Sequence, residues 1–68
     1  MINLTTEDKQ IVAYGLNAYA DRMYQDFLTY KRQGNTEASD DCMLHYKRAR
    51  EIAQEFYEEF LAEKKAMA

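Results

Sequence analysis

Proline is absent from this chain, glycine occurs twice, and there is one cysteine and one histidine. Without proline, nothing within the chain forces a helix to break. With only Gly15 and Gly34, few positions turn easily through the left-handed region. A lone cysteine, Cys42, excludes an intramolecular disulfide. Beside a single histidine it also leaves no ligand set for structural zinc. No stretch approaches the roughly 18 consecutive apolar residues of a membrane span. The opening MINLTTEDKQ lacks the basic-then-apolar pattern of a secretion signal, so the expected location is cytoplasmic.

What is present favours helix throughout: alanine, glutamate, lysine, glutamine, leucine and arginine dominate. The 68 residues suffice for one small domain, 1–68. A core of that size contributes only about 3–5 kcal/mol, so stability has to come from elsewhere too. With disulfide and zinc excluded, a partner chain is the most economical source. The net charge of −3 is too mild for a polyanion mimic and disfavours general binding to phosphate backbones.

The first helix is predicted over about 6–33. Thr5 is placed to cap it, with Asp8 three residues on in the position of a capping box. Val12, Leu16, Tyr19, Met23, Phe27 and Tyr30 recur at helical spacing and make the expected inner seam. Ala13, Ala20, Tyr24 and Leu28 widen it on one flank. Lys31 and Arg32 suit the negative end of the dipole, and Gly34 can close the helix in the left-handed conformation. The turn is expected at about 34–36, with Asn35 or Thr36 capping the second helix.

That second helix is predicted over about 37–65. Cys42, Tyr46, Ala49, Ala53, Phe56 and Phe60 alternate by four and three and form its seam. Reversal at Gly34–Asn35 pairs Phe27 with Cys42, Met23 with Tyr46, Tyr19 with Ala49, Leu16 with Ala53, and Val12 with Phe56. The fold class expected is therefore all-α, an antiparallel two-helix hairpin. Two such hairpins are expected to pair as a homodimeric four-helix bundle, because one hairpin leaves apolar surface uncovered.

Three clusters bear on chemistry. Asp41, Cys42 and His45 lie close on the second helix. A nucleophile pair or metal site would need further groups that the chain does not supply. Glu51, Glu55, Glu58, Glu59 and Glu63 form an acidic ridge without the Glu-x-x-His pattern of helical di-metal sites. Lys47, Arg48 and Arg50, with Arg22 on the facing helix, are candidate nucleic-acid contacts.

Six tyrosines are more suggestive, since tyrosine combines contact area with a hydrogen-bonding tip. Tyr14, Tyr24, Leu28, Met43, Tyr57 and Leu61 make the candidate protein interface. The expectation is a non-enzymatic interaction module without cofactors: a small acidic regulator, inhibitor or adaptor that binds a larger protein. A nucleic-acid-binding hairpin dimer is the alternative, and membrane association is not expected.

Overall fold

The computed structural model describes residues 2–67 and holds two helices, α1 (Thr6–Arg32) and α2 (Thr36–Met67). They pack against each other along their lengths as an antiparallel hairpin. The molecule measures 50 × 24 × 13 Å, a slab one helix thick.

Local chemistry accounts for where each helix starts and stops. At the start of α1, the Asp8 amide donates to Thr5 Oγ1 (3.1 Å) and the Thr5 amide to Asp8 Oδ2 (3.0 Å). This reciprocal capping box satisfies two otherwise orphaned donors. At the end of α1, Gly34 takes φ 75°. Its amide donates to the Lys31 carbonyl at 3.1 Å, and the Asn35 amide to the Tyr30 carbonyl at 2.9 Å. These are the two bonds of a Schellman motif, with glycine at the left-handed position. Asn35 then caps α2, its Oδ1 accepting from the Ala38 amide at 3.2 Å. The expected boundaries hold to within two residues.

The seam between the helices is made mostly of small side chains, with Phe60 as the large one. Ala13 and Ala20 are each 0% exposed and meet a row of Ser39, Cys42, Ala49, Ala53 and Phe60 on α2. Buried Ser39 returns its hydroxyl to the Thr36 carbonyl at 2.9 Å, so no polar group is stranded there. The seam of α2 follows the expected spacing, with Tyr46 and Phe56 half-buried within it.

For α1 the expected seam is displaced. Ala13 and Ala20, placed on the flank by their modest hydrophobicity, occupy the centre. Tyr19, placed at the centre, is 40% exposed. The cause is steric. Two helices alone approach closely only where small residues meet, and large side chains turn aside to cover the edges. The axial register is nevertheless the expected one: Thr6 reaches Glu63, Tyr14 meets Tyr57, and Tyr24 rather than Met23 meets Tyr46. Among the described residues, no large side chain is fully buried.

Candidate interaction faces

Residues on a helix advance about 100° each, so the alanine seam divides each helix into two flanks. On one side of Ala20 stand Asn17, Asp21, Tyr24 and Leu28, with Tyr14 further round. On the other stand Val12, Leu16, Tyr19 and Met23. Around Ala49 and Ala53, the flanks of α2 are Met43, Tyr46, Arg50, Tyr57 and Leu61 on one side, and His45, Ile52 and Phe56 on the other. Packing α1 on α2 joins these flanks into two broad faces.

The first face carries all six candidate interface residues. Tyr14 and Tyr57 stack across the helices with ring centroids 6.5 Å apart, and Tyr57 continues onto Phe60 at 6.1 Å. Tyr24 meets Tyr46 at 5.3 Å and Phe27 at 6.0 Å. Lys64 lies over the Phe60 ring and Lys31 over the Phe27 ring, at 5.9 and 5.4 Å. Aromatic rings thus span the helix–helix groove on this face and shield it from water. Tyr14 and Leu61 remain 56% and 47% exposed, Tyr24 is exposed too, and Leu28, Met43 and Tyr57 are half-buried. The arrangement offers flat ring faces with hydroxyls at their edges.

The second face is more aliphatic. Leu16, Tyr19, His45, Arg48, Ala49 and Ile52 line a shallow depression of about 200 Å³ over the seam. Tyr19 Oη lies 3.3 Å from His45 Nδ1, and His45 Nε2 lies 3.9 Å from Asp41 Oδ1. Val12, Met23 and Phe56 extend the same strip and are half-buried. Assigning Leu16, Tyr19 and Met23 to the inner seam hid this face in the sequence. The seven-residue spacing of Ala13 and Ala20, matched on α2 by Cys42 and Ala49 and by Ala53 and Phe60, is the signal that marks the true contact line.

The remaining clusters are dispersed. Cys42 is buried in the seam, and burial pushes its thiol up, with the carboxylates of Asp26 and Asp41 adding to the shift. That environment disfavours the thiolate a nucleophile or metal ligand requires. His45, by contrast, sits at the surface. Among the described residues, no three or more His, Cys, Asp or Glu side chains converge as a metal-binding group. No described helix is long and apolar enough to cross a membrane.

The acidic ridge is not uniform. Glu55, Glu58 and Glu59 are exposed, whereas Glu63 turns to α1, accepting from Thr6 Oγ1 at 2.6 Å and pairing with Lys9. Of the four basic candidates, Arg48 pairs with Glu51 at 3.1 Å. Arg22 and Lys47 each lie two residues from a seam alanine, about 200° around, so they point outward from opposite sides of the hairpin. Arg50 lies on the first face. The four do not share a surface.

Compared with models of protein families, with curated proteins and with solved structures, the chain finds no match.

Proposed function

We propose that this protein is a non-enzymatic interaction module, a small acidic regulator, inhibitor or adaptor that occupies a surface of a larger protein. The observation that carries this reading is the mismatch between core and surface. The helices meet through alanines, while large apolar and aromatic side chains stand on both flanks. Side chains such as Tyr14, Tyr24 and Leu61 gain little from folding and much from a partner that covers them. Tyrosine is also a residue type enriched among those that dominate binding energy. The first face, with Tyr14, Tyr24, Leu28, Met43, Tyr57 and Leu61, is the surface for that partner. Two copies pairing as a four-helix bundle belong to the same reading, because one hairpin is too thin to enclose its large side chains. The dispersal of Arg22, Lys47, Arg48 and Arg50 over several sides weighs against nucleic acid.

The test is capture from the native host, followed by reconstitution with the purified partner. A Tyr14→Ser, Tyr57→Ser variant is expected to keep its helix content and lose about 30-fold or more in affinity, the cost of truncating a tyrosine hot spot. A partner bound equally well by that variant would refute the assignment of the first face.

A further inference from the structure

We propose that the second face, centred on Leu16, Tyr19, Met23 and Ile52, is where two copies of this chain pair, with their loops at opposite ends. The inference rests on the reading that the hairpin dimerises, and adds which surface is used and in which direction.

The exposed area points to a second copy. The chain exposes 5276 Å². A compact monomer of 8.1 kDa would expose about 4,500 Å². The excess, about 800 Å², equals the area each partner buries in an interface of standard size. A slab 13 Å thick can lose that area by stacking a broad face on a second slab of the same shape.

The pattern on α1 sets the direction. Lys9 and Asp26, Val12 and Met23, and Leu16 and Tyr19 stand at equal distances on either side of a point between Asn17 and Ala18. A two-fold axis at that level, lying in the interface plane and crossing the helices at right angles, brings the two α1 helices together antiparallel. Each apolar residue then meets its apolar counterpart, and Lys9, which also holds its own Glu63, stands at the level of Asp26 of the second copy. Self-complementarity of this kind is what an isologous interface demands. Asp26 takes part in none of the intrachain ion pairs found among the described residues, so its charge is available.

α2 agrees. The Tyr14–Tyr57 and Tyr24–Tyr46 contacts bring Ile52 to about the level of the same axis. His45 and Glu59 then stand seven residues to either side and face each other across the copies. Asp41 comes opposite Glu63 in this arrangement, with Lys9 beside them. Loops at the same end would instead set Asp26 against the region of Asp41 in the second copy, carboxylate toward carboxylate. The first face, whose groove is already spanned by tyrosine pairs, stays free for the larger partner.

Sedimentation equilibrium on the full chain at about 10–100 µM, a range chosen around micromolar dissociation, is the primary measurement. The expected mass is about 16 kDa, twice the 8.1 kDa of one chain. Ile52→Arg places two cations at the axis and is expected to weaken association by at least 100-fold while circular dichroism still reports helix. Tyr57→Arg is expected to leave the dimer intact. In a Cys42→Ala background, Ile52→Cys is expected to form a disulfide between copies on mild oxidation, and Tyr57→Cys is not. This second readout decides the matter if Ile52→Arg loses its helix. A monomeric wild-type chain would overturn the dimer reading altogether. A dimer dissolved by Tyr57→Arg but not by Ile52→Arg would overturn only this choice of face. Dissociation by Ile52→Arg without the Ile52→Cys disulfide would overturn the opposed loops.

Discussion

Glu63 joins the two ends of the chain: its carboxylate accepts from Thr6 Oγ1 and pairs with the Lys9 ammonium, holding the last turns of α2 on the first turn of α1. The Lys9 hydrogen bond, and after it the Thr6 hydroxyl, holds the Glu63 carboxyl below its ordinary range. A depressed carboxyl stabilises the fold above its unfolded pKa, and that contribution disappears as pH falls through the lower, folded value. The same hydrogen bond raises the Lys9 ammonium, opposed by partial burial and helped by the charges of Glu63 and Glu59. That contribution is present below the ordinary lysine pKa and is lost as pH rises through the folded one. Thermal melts are therefore expected to show Tm falling below about pH 4 and again above about pH 10.5, the ordinary carboxyl and ammonium ranges. Glu63→Gln should flatten the acid limb and Lys9→Met the alkaline one. Acid limbs of equal depth in wild type and Glu63→Gln would show that the pair contributes nothing.

The seam makes a second prediction. Ala20 is fully enclosed between the helices, so Ala20→Leu must push them apart or force an unfavourable rotamer. The expected cost in chemical denaturation is about 1–3 kcal/mol, and Ala49→Leu, on the facing row, should behave alike. A neutral Ala20→Leu would return the larger side chains to the centre of the contact.

Much of the fold was legible because its signals are local. Thr5 with Asp8, Gly34 followed by Asn35, and the four–three spacing of Cys42 to Phe60 each depend on neighbours within one or two turns. The rotation of α1 about its axis was not legible from hydrophobicity. That criterion favours Leu16, Tyr19 and Met23 over Ala13 and Ala20, whereas closeness of approach favours the reverse. In a three-layer protein both demands can be met, since another element covers the large side chains. With one partner helix, sterics wins and the large residues move to the flanks. The second face was hidden for the same reason, while the six residues grouped from the sequence do share the first.

The two glycines should respond in opposite directions. An added Cβ at Gly15 meets nothing within 4 Å, and the residue is an exposed interior position of α1. Gly15→Ala is expected to raise stability by about 0.5–1 kcal/mol by removing unfolded-state freedom. Gly34 also has open space around it, but at φ +75° any L side chain is strained. Gly34→Ala should cost about 1–2 kcal/mol, read from the same urea titrations. Equal effects at the two sites would mean that the Schellman turn is not held in solution.

Cys42 provides a last check on whether the seam is closed. Its thiol lies between the helices, and burial first, then Asp26 and Asp41, keeps it protonated above the usual thiol range. Alkylation by iodoacetamide needs both exposure and thiolate, so it must wait for the helices to part. If parting them costs about 3 kcal/mol, the reaction at pH 8 should run about 100-fold slower than for an unfolded peptide. In denaturing urea the difference should vanish. Mass spectrometry of quenched aliquots follows the rate directly. Ala20→Leu should accelerate it, because wedging the seam open exposes the same sulfur. Rapid alkylation of the native wild-type chain would mean that the alanine contact opens freely, and the small-residue seam would then not be what holds the two helices together.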